Sequence, residues 1–359
     1  MDGNAELLEK REDLKREMTT LWDKTLPVLI FDTVGRIVRV LTRSRRPVSW
    51  YYSAVVLMLV ILLPGLLIAV LLREVGQVVA LGWVWAIAQG LMLLSTALAY
   101  IITRYFLAVM RDHLVDAIES PHDLVDLRQW LADGGSIRKS LAIIIPFSVS
   151  WCVVATFLFS LFWGRFIGFN LALGTLVFGI FLGMDFYYIL WLLHLPFRLS
   201  RYHYKLYEVD PVNSEVVSHL ARMLNRYVYM VAIFLAFCTL IGAYVAVWAS
   251  VLIIPIAWIP LTLQFISNQT ALSQIVATAK WKTLNELQEK ICKLRTEANL
   301  ADKETVESIN RLMDLHDRIK ATRNSTLDVR TGLSFLNQLM LPLLAFLLAN
   351  VERLANLIH

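Results

Sequence analysis

Charge is what this sequence lacks. Lys, Arg, Asp and Glu make up 18% of its 359 residues, below the ~25% of a soluble globular domain. None of them falls between Arg226 and Lys280. An uncharged run of that length covers two bilayer crossings, since one takes about 20 residues. Cysteine is scarce as well. Cys152, Cys238 and Cys292 make neither a disulfide framework nor a metal-ligand spacing. HExxH, a Walker loop, a GxSxG elbow, the TVGYG potassium filter and an acidic cluster for Mg²⁺ are all missing, and no span carries histidines spaced for haem. We therefore expect neither an enzyme nor a cofactor. The charged, helix-prone opening leads us to expect no cleavable signal peptide.

What is present is apolar and helical in period. Hydrophobic residues make up 57% of the chain, and the pattern predicts an all-α polytopic membrane protein with six spans, about 50–72, 78–102, 141–163, 167–193, 227–248 and 251–276. These pair into three hairpins with tight turns near Arg73–Gln77, Gly164–Ile167 and Ala249–Ser250. Connections 103–140 and 194–226 are long and charged. Of 34 Lys and Arg residues, only Arg73 and Arg165 lie on the tight-turn side. The positive-inside rule then puts both termini in the cytoplasm, and we expect a bacterial inner-membrane protein. The net charge of +5 fits an inner-leaflet bias rather than a duplex nucleic-acid partner.

The domain plan is four-part: amphipathic cytoplasmic helices over 1–49, a transmembrane domain over 50–276, a helical hairpin with a polar loop over 277–332, and an apolar C-terminal helix over 333–359. In the first part, Leu7, Leu14, Met18 and Leu21 share a helix face and predict docking on other cytoplasmic helices. Pro27 breaks the pattern. Val34, Ile37, Val38 and Leu41 then form an apolar side beside a row of arginines, Arg36, Arg39, Arg43 and Arg46. Such a helix suits the inner membrane surface, with arginines among lipid phosphates. A basic run just before a first span also serves to fix topology; the alternative is that in an oligomer the row forms a ring at the cytoplasmic mouth that binds an anionic ligand or selects anions.

The connections hold few chemical signals. In 103–140, Pro121 and Gly134–Gly135 bracket a short helix. His113 and His122 lie among Asp112, Asp116, Asp123 and Asp126, but they straddle a proline at irregular spacing, so no metal site is expected. In 194–226, Tyr202, Tyr204 and Tyr207 mix with Arg198, Arg201 and Lys205, which reads as an interface belt. The fourth span carries a small-residue stripe (Ala172, Thr175, Gly179, Gly183) for close helix packing. It also carries Asp185, an intramembrane carboxylate that calls for a functional explanation. Arg104 and Arg198 are its candidate partners.

The stretch Leu261–Ala298 reads as one helix leaving the membrane. Gln264, Ser267, Ala271, Gln274 and Thr278 recur one per turn, with Asn268 beside them, and make the candidate pore-lining face. Leu284, Leu287, Ile291 and Leu294 continue as a coiled-coil-like seam. A second helix, 303–321, folds back on it after a turn at Asn299–Asp302. The loop that follows offers Lys320, Arg323, Asn324, Ser325, Thr326 and Arg330, either for a phosphate or for capping the last helix. The apolar core of that last helix, Leu339–Leu348, is short for a span and contains Pro342, so we expect it to lie on the membrane face or to pack against the other cytoplasmic helices. If it crosses, the C-terminus lies outside.

These features predict an oligomeric channel or pore gated from the cytoplasm by an anionic, nucleotide-like ligand, a plan that would suit a bacterial stress or defence effector. Membrane lipids and further copies of the chain are the expected partners. Two alternatives stay open: a secondary transporter that uses Asp185, and a non-conducting scaffold or sensor that recruits a cytoplasmic partner.

Overall fold

The computed structural model describes residues 2–43, 48, 49, 52–57, 59, 60, 90, 94, 97, 100, 101, 104–163, 169–245, 247–297, 303–325 and 329–350. Most of the first two expected spans, the turns at Arg73–Gln77 and Gly164–Ile167, Arg46 and the turn Asn299–Asp302 lie outside these residues. Among the described residues the chain is helical, with one isolated β-bridge between Ile118 and Tyr204. Four helices are long and apolar enough to cross a membrane, over Ile137–Phe157, Thr175–Leu199, Glu215–Leu240 and Thr331–Leu348.

Helix α1 (Asp2–Asp23) and helix α2 (Leu26–Thr42) open the chain. Leu14 and Met18 of α1 are buried in the largest core, together with Leu124 and Leu127 of α3 (Pro121–Gly134). Around this contact Lys15 pairs with Asp116 at 2.6 Å and Arg128 pairs with Glu17. The apolar stripe of α1 is thus spent on the first connection, not on the distal hairpin. Helix α2 docks through Pro27, Val28, Phe31 and Gly35. Ile37, Val40 and Leu41 remain exposed beside Arg36, Arg39 and Arg43, a combination that fits an acyl-headgroup boundary.

Helices α4 (Ile137–Trp163) and α5 (Phe169–Leu193) pack closely. A Cβ on Gly179 would sit 3.1 Å from the Ser148 backbone, and one on Gly183 would sit 3.3 Å from the Ile144 carbonyl. The small-residue stripe is where the two backbones meet. A short helix, α6 (Leu195–Leu199), follows α5. Trp191, near the end of α5, stacks on Trp130 at 4.2 Å, and its other edge touches Gly134, where a Cβ would come within 2.0 Å of the indole.

The two connections are stitched together. The backbone N–H of Glu119 donates to the His203 carbonyl at 2.9 Å, and that of Lys205 donates to Ala117 at 2.7 Å. Asp126 accepts from Arg198 at 2.7 Å and from the Tyr202 hydroxyl at 2.7 Å. The expected interface belt is corrected here: Tyr202 and Tyr204 are core residues, and only Tyr207 is exposed. Burial works against the Asp126 charge, but the hydrogen bonds from Tyr202 and Arg198 outweigh it and hold the carboxyl below its usual range. A carboxyl with a depressed folded-state pKa contributes stability above its unfolded pKa, ~3.9 for Asp, and loses it as pH falls through the folded value. Acid titration is therefore expected to loosen this junction below about pH 4. Asp126→Asn should remove that acid limb in hydrogen exchange of residues 198–204.

Helices α7 (Glu215–Val245) and α8 (Val247–Glu297) form the other long pair. α8 begins at Val247, so Ala249 and Ser250 lie inside it, not in a turn. α8 continues through Pro255 and Pro260 for 51 residues, about 76 Å at ~1.5 Å per residue. Its far end packs against α9 (Lys303–Ala321) through Leu284, Leu287 and Ile319. The last helix, α10 (Val329–Ala349), is 21 residues long. It lies against α7 and α8, with Phe335 stacked on Phe265 at 4.0 Å and the Trp258 indole N–H donating to the Leu339 carbonyl at 3.0 Å.

Candidate functional site

The polar face of α8 divides in two. Gln264 (1% exposed), Ser267, Asn268 and Ala271 are buried inside the protein, whereas Gln274 and Thr278 are exposed. The reason is a change of partner. At ~100° per residue, the buried side of α8 swings by about half a turn between the Gln264–Ala271 group and the Leu284–Ile291 seam as its neighbour passes from α7 to α9. A stripe that keeps to one face of the helix must leave the interior at that point.

The inner group forms a polar inlay against α7. The Gln264 amide donates to Asn268 Oδ1 at 2.9 Å, and Asn268 Nδ2 donates to the Leu224 carbonyl at 3.3 Å. Gln264 Oε1 and Ser267 Oγ are buried without a hydrogen-bond partner. One residue along α7, Asn225 begins a second polar group, shared with α10. Gln338 donates to Asn225 Oδ1 at 2.8 Å, Asn225 donates to Ser334 at 3.3 Å, and Tyr229 lies 3.3 Å from the same hydroxyl. Gln338 Oε1 is another buried acceptor left unmet. Unmet acceptors of this kind each cost roughly 1–3 kcal/mol, so a cluster of them marks a polar track between apolar helices. Sequence reading missed Asn225, Tyr229, Ser334 and Gln338. The i, i+3, i+4 spacing of Ser334, Asn337 and Gln338 was the available signal.

Of the outer pair, Gln274 faces an open groove of about 420 Å³ lined by Gln269, Thr270, Ser273, Gln274, Ala277 and Asn324. Across it, the Ser273 hydroxyl donates to Ser325 at 3.2 Å. Arg323, beside Asn324 in the chain, is exposed, and Arg330 stands in the first turn of α10, its side chain outside the described residues. The loop is organised by a residue that sequence reading had taken only as the end of the uncharged run. Lys280 is buried, and its ammonium donates to the carbonyls of Lys320 (2.9 Å) and Thr322 (2.7 Å) and to Asn324 Oδ1 (2.8 Å). It thereby satisfies carbonyls that the C-terminus of α9 leaves open.

Asp185 is 3% exposed on α5 and lies near Cys238 of α7. Arg198, one of its two candidate partners, engages Asp126 instead. Arg36, Arg39 and Arg43 line the outer side of α2. Among the described residues no arginine reaches the α8 inlay. No family model, curated protein or solved structure matches this chain.

Thiol labelling separates the two halves of the stripe. Gln274→Cys and Thr278→Cys should react rapidly with a charged aqueous reagent. Gln264→Cys and Ser267→Cys should stay unmodified until the protein is denatured. Equal rates at Gln264→Cys and Gln274→Cys would show that water reaches the inlay in the resting protein.

Proposed function

We propose that the chain is a channel- or pore-forming membrane protein controlled from the end that carries the α8–α9 hairpin. The distribution of basic residues puts that end in the cytoplasm. One observation carries the reading: α8 runs unbroken from the buried inlay at Gln264–Asn268 to the hairpin seam at Leu284–Ile291. Packed interfaces switch between discrete arrangements rather than bending continuously, so a shift of the hairpin is delivered to the inlay. The path runs within the protomer, along α7 between α8 and α10, because the unmet polar atoms lie there. Exposed Arg36, Arg39 and Arg43 beside exposed Ile37, Val40 and Leu41 serve as the membrane-surface contact. An anionic ligand is left to the Arg323 side of the groove.

Purified protein in planar bilayers tests the reading. Conductance should respond to nucleotides or other anions added on the hairpin side. Ala277→Pro, which breaks α8 between inlay and seam, should leave conductance without that response. Silence under every condition would sink the proposal. A second reading rests on Asp185, since a buried carboxylate in an apolar helix is suited to coupling. In that case Asp185→Asn abolishes coupled uptake in a folded protein.

Topology gives a further expectation. Counting 50–72 and 78–102 from the sequence together with α4, α5, α7, the apolar part of α8 and α10 gives an odd number of crossings. Antiparallel packing of α10 on α8, with Phe335 at Phe265 and Leu339 at Trp258, supports the seventh. Reporters fused to the two ends should then report opposite sides. Same-side signals would return α10 to the membrane surface.

A further inference from the structure

His113 was paired with His122 by proximity in sequence, but the fold pairs it with His219. His122 points away, its side chain 91% exposed. The two rings of His113 and His219 stack at 3.7 Å between centroids, 11° from parallel. Glu215, one helical turn before His219 on α7, reaches its Nε2 at 3.4 Å. One donor atom from each of the three lies within 4.8 Å of the other two. His113 itself comes from a π-helical turn, Met110–Leu114, and such turns recur at functional sites because the extra residue re-aims a side chain.

We propose that His113, Glu215 and His219 form a binding site for a borderline divalent transition-metal ion of the Zn²⁺ type. The donor set is two imidazoles and one carboxylate, a combination that suits zinc with a fourth position left for water. An imidazole nitrogen is the commonest protein ligand for such an ion. Tetrahedral bonds of ~2.0–2.1 Å place donors about 3.4 Å apart, so closure from the observed spread needs only rotation about soft side-chain torsions. The rings splay from their stack as the ion enters. All three side chains are at least partly exposed, which leaves an entry path. The local cations do not compete for the site: Arg111 is held by Asp112 at 2.7 Å and Arg222 by the Ser218 carbonyl at 3.4 Å.

A bound ion would clamp the start of the first connection to the N-terminal end of α7. That segment also meets α7 where the Arg226 guanidinium lies over the Tyr105 ring, 4.1 Å from its centre. The clamp thus sits two turns from Leu224 and Asn225, where the inlay begins, but the site stands whether or not the protein conducts.

The test uses the full chain in lipid nanodiscs, stripped of metal and titrated with Zn²⁺ by calorimetry. One ion should bind per chain. His113→Ala and His219→Ala should weaken binding by more than the ~10–100-fold that loss of a group merely supporting a ligand costs, and His122→Ala should leave it unchanged. Co²⁺ should give visible d–d absorption that both variants lose. Absence of saturable Zn²⁺ binding, or equal affinity in the two variants and the parent, would overturn the site. Should the histidine variants fail to fold, Glu215→Gln decides, because that side chain is 68% exposed: undiminished affinity with an unaltered Co²⁺ spectrum would overturn the proposal as well.

Discussion

Lys280→Met should open the α8–α9 hairpin. Its ammonium is the shared donor to two backbone carbonyls and one side-chain amide, and methionine keeps the length while removing all three bonds. Hydrogen bonds from a charged donor contribute roughly 1.5–3 kcal/mol each, offset by the cost of burying the charge. We expect a net loss of about 3 kcal/mol. Where cleavage follows local opening, that corresponds to roughly 150-fold faster proteolysis of the hairpin. Lys282→Met is the matched control. Its pair with Glu119 at 2.9 Å has both side chains more than a third exposed, and exposed pairs contribute ~0–1 kcal/mol. Similar proteolysis of both variants would show that Lys280 is not the lock.

The second large effect is expected at Gly179. Leucine there has no room: the Cβ position is already 3.1 Å from the Ser148 Cα and 3.2 Å from the Trp151 ring. Overpacking ordinarily costs ~1–3 kcal/mol, but here the obstruction is backbone, so α4 and α5 must separate rather than a side chain turn aside. The reporter is close by. Cys152 Sγ lies 3.4 Å from Thr175 Oγ1, within reach of a disulfide when Thr175 is replaced by cysteine. Oxidation should consume both thiols in the Thr175→Cys protein. It should leave both open to alkylation when Gly179→Leu is added.

These residues also show what periodicity can and cannot carry. The stripe of Gly179 and Gly183 was legible because a small residue at helical spacing has one physical use in an apolar helix. The uncharged run from Arg226 to Lys280 announced two long helices, and the unbroken helix from Leu261 onward was legible from its repeating apolar seam. Spacing alone did not say which way Gln264, Ser267 and Asn268 look. A polar face suits either water or polar partners on another helix, and Leu224 and Asn225 are invisible from α8. The last helix looked too short because Ser334, Asn337 and Gln338 interrupt its apolar window, although they bond to α7 in pairs with Asn225 and Tyr229. His113 was matched to its nearest histidine along the chain, and the fold selected a distant one. The turn placed at Ala249–Ser250 fell inside a helix because neither residue breaks one.

The contact between Trp191 and Gly134 divides the molecule into parts with different freedom. The indole is pressed between the Trp130 ring on one side and the bare Cα of Gly134 on another. A piston step of α5 by even one residue, ~1.5 Å, would drive the ring into the end of α3. Together with α4, locked through Gly179 and Gly183, these elements form a stator. If the protein rearranges, we expect displacement between labels on α7, α8 and α10 to be seen against an α3–α5 frame that stays still.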